Sequence, residues 1–319
     1  MTTTIIEPSN REIWLEARKA NVNASEVASL FDTGYMSRYE LWHIKSGHKQ
    51  ADFDSERMKW GRRLERAIAE GICEDEGLTL IDLPVQYFSN PETRMGATPD
   101  FFVDHPTKGR GLLQIKNVDS LIFKQKWTKP QDGGEAPDYI EMQVQQEMLL
   151  TGCTWAKIGV LVGGNQTYVY DREFYPEVGT GLRSAVTKFW DSVDNKIEPT
   201  PDFLRDADFI IEMMSKVSGG KSVDMSGDER LETLMRGYNE WQQKEKEADE
   251  MKKSHKAEIL MLVGDNETIL TGVGKISAKE VKGSDGTLIT PEMVGTRVGG
   301  RSGYRTFKVS VKEAVDGNS

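Results

Sequence analysis

The chain reads as an α/β protein whose helix-and-strand core is followed by one long charged helix and a small β element. Three observations predict this. Residues 101–103 and 112–115 are short apolar runs on either side of a turn rich in Pro, Gly and charge, the pattern of two paired strands. Residues 139–150 form a helical stretch that runs into two strand-like segments, 156–162 and 168–174, joined across Gly163-Gly164-Asn165. Residues 226–263 carry dense Glu and Lys between Leu231, Leu234, Tyr238 and Trp241, a stripe too sparse for a buried core helix and suited to a hairpin arm or a subunit contact.

At 319 residues the chain can bury a sizeable core and hold one large or two smaller domains, and a boundary is expected near residue 200, giving 1–200 and 201–319. Lys and Arg total 41 against 51 Asp and Glu, a formal charge of -10. That excludes a uniformly basic surface but leaves room for a local basic channel. The two cysteines, Cys73 and Cys153, lack metal-ligand spacing and read as reduced thiols. No apolar run is long enough to span a membrane and no signal-peptide pattern opens the chain, so the cytoplasm is the expected location.

In chain order, residues 1–8 show no period and read as a flexible or edge segment. Residues 10–30 look helical in two pieces, the first capped by Asn10 with Ile13, Trp14 and Ala17 inward, the second starting at Ala24. Residues 37–47 form a short amphipathic helix ending at Gly47, with its aromatics in the core. A further helix opens at Met58, with Leu64, Ile68 and Ile72 at steps of four. Residues 78–88 read as one strand beside the hairpin. Residues 118–127, with Lys124, Lys126 and Lys129 interleaved with Phe123 and Trp127, offer either a base-stacking, backbone-tracking surface or an ordinary solvated face. Residues 131–137 are loop, 178–193 a helix, and Pro199-Thr200-Pro201 closes the unit. Beyond it come a short helix at 206–216, a Ser-Gly-Gly-Lys linker at 218–221, the long helix, and β-character over 264–311, at 268–271, 274–277 and 304–311. Lys275, Lys279, Lys282, Arg297, Arg301, Arg305 and Lys308 make this tail locally basic, so it is either a sheet that touches DNA backbone or an edge-capping appendage.

The chemistry concentrates at the hairpin. Asp100 precedes one strand, and Gln114-Ile115-Lys116 closes the next. Side chains alternate along a strand, so Gln114 and Lys116 leave one face and Ile115 the other. An acid on one strand opposite a polar-x-Lys on its neighbour can hold a divalent metal and place an ammonium beside it, which phosphodiester hydrolysis requires. Nearer the N-terminus, Arg18 can grip phosphate oxygens in a bidentate fork, and Ser25, read as lying at a helix N-terminus, adds a hydroxyl to free backbone N–H groups. Glu65, Glu141 and Glu147 all fit solvated helix faces.

These residues resemble a known family. Pro99-Asp100 with Gln114-Ile115-Lys116 is similar to the PD-(D/E)XK nuclease signature. Trp14-x-x-x-Arg18 with Ser25, the 37–47 stretch ending Lys45-x-Gly47, Trp60-Gly61-x-x-x-Glu65, and Gln143-Val-Gln-x-x-Met-x-x-Thr-Gly narrow the resemblance to YqaJ-type viral recombinases, the phage lambda exonuclease group. The resemblance implies a mixed sheet flanked by helices and a site holding Mg²⁺, with Mn²⁺ as substitute, through Asp100, Gln114, Glu65 and the Ile115 carbonyl. It implies that Lys116 steadies the attacking water or the charge on phosphorus, that Gln143 supports Lys116, and that Arg18 and Ser25 hold a terminal 5′-phosphate. It further implies digestion of linear double-stranded DNA from 5′ to 3′, leaving 3′ single-stranded tails. The implied assembly is a ring-shaped homo-oligomer, a trimer foremost, and the implied partner a single-strand annealing protein. Gln114 departs from the pattern, which has Glu there. Three explanations stand open: the pattern tolerates Gln, an inactivating Glu-to-Gln change has been introduced, or the protein binds DNA ends without cutting them. A structure-specific endonuclease of the same fold is a further alternative.

Overall fold

A computed structural model describes residues 2–49, 55–215 and 222–279. The chain divides into two units, Met1–Met213 and Met214–Ser319.

The first unit begins with β1 (Thr4–Ile6), an edge strand, and α1 (Arg11–Lys19), where the Asn10 side chain accepts the Ile13 N–H at 3.0 Å. Ile13, expected inward, is instead exposed, and α1 has no fully buried residue. The second helical piece expected from Ala24 is also corrected. β2 (Val22–Asn23) leads into a turn and a 3-10 helix at Val27–Phe31. Glu26 accepts both the Asn23 backbone N–H (2.9 Å) and its side-chain amide (2.8 Å), a local closure that competes with helix. α2 (Arg38–Lys45) is capped by Ser37, and α3 (Glu56–Glu76) ends at Gly77.

The single strand expected over 78–88 is two, β3 (Thr79–Ile81) and β4 (Tyr87–Asn90), in different sheets. Pro84 lies between them and has no N–H to give a ladder. β5 (Met95–Ala97), not foreseen, precedes β6 (Phe101–His105) and β7 (Gly109–Val118). Then come α4 (Ser120–Lys126), α5 (Asp138–Thr151) closed by Gly152 at φ 77°, β8 (Trp155–Val162), β9 (Gln166–Glu173), α6 (Pro176–Asp194) and α7 (Ala207–Met213). α7 belongs to this unit because Phe209 packs edge-on against Tyr39, with ring centroids 6.0 Å apart.

The main sheet runs β3-β6-β7-β8-β9, with β7 and β8 parallel and the other pairs antiparallel. The parallel pair needs a crossover, and α4 and α5 supply it. On one face Ile68, Ala69, Ile72 and Cys73 of α3 pack on Val103, Leu113, Ile115 and Trp155. On the other, Ile140, Val144 and Met148 of α5 and Leu182, Val186 and Phe189 of α6 pack with Leu112, Ala156, Ile158 and Val160. Gly159 marks a close approach, since a β-carbon there would strike Ile72. A smaller sheet, β1-β4-β5-β2, carries the chain into Asp100. This is a mixed sheet flanked by helices, the fold class the sequence predicts.

The second unit holds α8 (Glu229–Val263), with most of its apolar stripe exposed, and a hairpin of β10 (Thr268–Thr271) and β11 (Gly274–Ser277). The expected strand at 304–311, the linker at 218–221, and Lys282, Arg297, Arg301, Arg305 and Lys308 lie outside the described residues. Among the described residues no helix is long and apolar enough to cross a membrane, and Cys73 and Cys153 are both free and buried.

Candidate active site

The β6–β7 hairpin sets the register of the site. Phe101 pairs with Leu113, so Asp100, one residue earlier, lies opposite Gln114. The Gln114 side-chain amide donates to Asp100 Oδ2, and the Ile115 N–H donates to the same oxygen at 2.8 Å. Ile115 turns toward α3 while Lys116 reaches α5, as alternation requires. There Lys116 Nζ donates to Gln143 Oε1 at 3.3 Å, and Gln143 Nε2 donates onward to Glu147 Oε1 at 2.9 Å. Asp100, Gln114, Ile115, Lys116 and Gln143 therefore converge.

Glu65 lies on α3, near enough for Asp100 and Lys116 to act on its carboxyl. Burial, and then the charge of Asp100, pushes its carboxyl up to about 7, against a smaller opposing pull from Lys116 and Arg62. Glu147, expected on a solvated face, is 1 % exposed. Burial and Asp100 push it up to about 8, partly offset by Gln143 and Lys116. Asp100 is itself raised by burial, with Lys116, the Ile115 N–H and Gln114 pulling the other way. Glu141, also expected to be solvated, is tied to Arg172 at 2.6 Å.

Three acids that resist ionisation around one lysine make a site short of positive charge. Two buried oxygens there, Gln114 Oε1 and Glu147 Oε2, have no hydrogen-bond partner. The donors are all hard oxygens, the set Mg²⁺ takes. Among the described residues no three Asp, Glu, His or Cys side chains group into a ready metal cage. Mg²⁺ does not need one, because it keeps several waters and takes only one or two carboxylates from the protein. The residues present fit the ion.

Arg18 and Ser25 form a second cluster, with Arg18 donating to Ser25 Oγ at 3.2 Å and lying over the Trp14 ring at 4.5 Å. Ser25 sits in the turn after β2, not at a helix N-terminus, so the dipole argument for it falls away. Behind the pair lies Glu26, buried, with Lys45 at 2.8 Å and Arg18 at 3.8 Å. Burial works to raise its carboxyl, but Lys45 and Arg18 outweigh burial and hold it below the usual range. Two links tie this cluster to the hairpin. Trp14 Nε1 donates to Thr98 Oγ1 at 3.0 Å, and Gln146 Nε2 donates to the carbonyls of Val22 (2.9 Å) and Gly96 (3.0 Å).

Sequence reasoning missed Glu147, Glu26, Lys45 and Gln146. A signal existed for Glu147, which follows Gln143 by one helical turn on the same face. Phe123 and Trp127, offered as a base-stacking surface, are buried: Phe123 stacks on Tyr168 at 4.8 Å and Trp127 leans on Tyr170 at 5.5 Å. Lys124, Lys126 and Lys129 remain exposed.

A search of the curated proteins returns no match. Among solved structures, the chain is similar to an alkaline exonuclease, LHK-Exo, from Laribacter hongkongensis, at 22 % identity over 62 % of this chain and 99 % of that one, with a TM-score of 0.47. The same enzyme in complex with dAMP gives a TM-score of 0.48 at 22 % identity over the same shares, 62 % and 99 %. A phage related exonuclease from Haemophilus somnus 129PT is 13 % identical over 56 % of this chain and 96 % of that one, with a TM-score of 0.42. The family model for the YqaJ-like viral recombinase domain matches residues 13–154, a span that contains Arg18, Ser25, Glu65, Asp100, Gln114, Lys116 and Gln143. Residues 13–154 are therefore similar to the YqaJ-like viral recombinase domain, the family that the sequence motifs resemble.

Proposed function

We propose that the protein is a Mg²⁺-dependent deoxyribonuclease that enters linear double-stranded DNA at its ends and digests one strand from 5′ to 3′, leaving 3′ single-stranded tails. The observation that carries the reading is the convergence of Asp100, Gln114, Ile115, Lys116 and Gln143 around buried oxygens with no protein partner. Asp100, Glu65, Gln114 Oε1 and the Ile115 carbonyl would hold the ion. When bound, Mg²⁺ or Mn²⁺ polarises a phosphoryl oxygen and lowers the pKa of a coordinated water. Lys116 places positive charge beside the reacting phosphate, where charge develops in the transition state. Gln143 positions that ammonium through its carbonyl oxygen. Arg18 and Ser25, braced by Glu26, offer the charge-assisted donors a 5′-phosphate takes. A ring-shaped homo-oligomer threaded on DNA and a single-strand annealing partner belong to the same reading and are tested by light scattering and co-purification.

Incubating linear duplex with Mg²⁺ and following acid-soluble nucleotides tests the activity. Lys116→Ala is expected to abolish release, and release unchanged by that substitution would remove the site. Duplexes labelled at the 5′ or the 3′ end read the polarity, and cutting of a circular substrate would favour an endonuclease.

One observation favours a second reading. Gln114 offers Asp100 a donor where the motif offers a second carboxylate, which suits a non-cleaving DNA-end-binding factor. Binding of duplex ends by wild type with no release of nucleotides would support it, whereas release gained only in Gln114→Glu would favour an introduced Glu-to-Gln change.

A further inference from the structure

Glu147 is a buried acid with no structural partner to justify its charge. It is 1 % exposed, one oxygen accepts the Gln143 amide at 2.9 Å, and the other meets no donor. Unsatisfied buried carboxylate oxygens are rare in native folds and call for a missing ion, a water or a proton. The same Gln143 accepts from Lys116 Nζ at 3.3 Å, so Glu147 lies one hydrogen-bonded side chain from the hairpin site. Its fellow acid on α5, Glu141, is by contrast neutralised by Arg172. Across the same space Gln114, 2 % exposed, spends its amide on Asp100 and leaves its own carbonyl oxygen unpartnered.

We propose that Glu147 supplies the carboxylate that position 114 lacks, so that the anionic side of the cation site is built from Asp100 on the hairpin and Glu147 on α5. The two elements have exchanged acid and amide. Gln114 orients Asp100 by donating to it. Gln143, its carbonyl on Lys116 and its amide on Glu147, is fixed at both ends and holds the ammonium and the acid in register. The inference rests on the nuclease reading for the presence of a divalent cation. It concerns which side chain carries the charge.

The test is Mn²⁺ binding to the full chain by titration calorimetry at mildly alkaline pH, without DNA. Four proteins are compared: wild type, Glu147→Gln, Gln114→Glu, and the exchange variant Gln114→Glu/Glu147→Gln. Gln is isosteric with Glu and can keep the bond to Gln143, and circular dichroism verifies that each variant folds. Glu147→Gln is expected to weaken Mn²⁺ binding about tenfold or more, the scale set by losing one member of a metal site, and the exchange variant to recover most of that loss. Equal affinity in wild type and Glu147→Gln overturns the assignment, as does an exchange variant no tighter than Glu147→Gln. A wild type that binds no Mn²⁺ overturns both this inference and the metal-dependent reading. Mn²⁺ binding that depends on Glu147 in a protein that releases no nucleotides supports the inference and refutes the nuclease reading alone.

Discussion

Glu147→Gln should make the cation-free protein more stable, and only at high pH. Burial and the neighbouring Asp100 move the Glu147 carboxyl from 4.5 to about 8. A carboxyl whose pKa is raised by folding binds its proton more tightly in the folded state. Its contribution is therefore fully present below 4.5, the unfolded value, and is lost as pH rises through about 8. At about 1.4 kcal/mol per pH unit, the loss between roughly pH 5 and pH 8 is on the order of 3 kcal/mol. Glu65, raised to about 7, adds a smaller loss with the same sign over a lower window. Gln stays neutral throughout and matches the protonated acid in shape. The variant should equal wild type near pH 5 and exceed it near pH 8 by about 3 kcal/mol at most. Urea unfolding followed by tryptophan fluorescence, with chelator present, measures both pH curves. Parallel curves would show that Glu147 titrates alike in the folded and the unfolded chain, and the charge-poor site described above would be wrong. Adding Mn²⁺ near pH 8 should stabilise wild type more than the variant, since a ligand that binds only the folded state adds its binding free energy.

Three further outcomes are expected. Gly159→Val forces a side chain onto Ile72 between the main sheet and α3, and overpacking of this kind costs about 1–3 kcal/mol, read as a lower urea midpoint with an unchanged slope; an unchanged midpoint would mean that α3 yields without cost. Glu26→Ala leaves Lys45 and Arg18 buried without their shared counter-charge, a loss of about 3–5 kcal/mol by thermal or urea unfolding, and Glu26→Gln should lose less because it can still accept from Asn23. Arg18→Ala should reduce the preference for 5′-phosphorylated over 5′-hydroxyl ends by about tenfold or more, the worth of one charge-assisted contact, and an unaltered ratio in competition digests would place the end-binding site elsewhere.

The hairpin was legible because its chemistry obeys a local rule. Alternation alone puts Lys116 and Gln114 on one face and Ile115 on the other, and the packing of Ile115 against α3 bears that out. The apolar steps of Leu64, Ile68 and Ile72 likewise mark the buried face of α3. The short strands β2 and β5 were not legible, because two or three residues carry no period and their pairing partners lie far along the chain. Ser25 was misplaced for a related reason: the Asn23–Glu26 closure is a side-chain contact that overrides the helical tendency of the residues after it. Phe123 and Trp127 read as an exposed aromatic surface only while Tyr168 and Tyr170, which cover them from β9, were out of view.

Glu147 shows where reading by motif stops and electrostatics takes over. A motif counts acids by position on one strand, whereas a cation responds to charge from any element within reach. In sequence Glu141 and Glu147 of α5 fit a solvated face, yet Gln145, Gln146 and Glu147 are all buried. Gln145 bonds the Glu173 carbonyl, Gln146 bonds Val22 and Gly96, and Gln143 and Glu147 face Lys116 and Asp100. A polar stripe spent this way on protein partners is indistinguishable in sequence from one spent on water. Gln114 then ceases to be a simple loss. A carboxylate there, beside Asp100 and with Glu147 already buried nearby, would add a further like charge to a site whose local cation is Lys116, and each acid would be driven further from ionisation. An amide at 114 with an acid at 147 keeps the number of carboxylates that one strand would otherwise carry, and converts the closest pair from repulsion into a hydrogen bond.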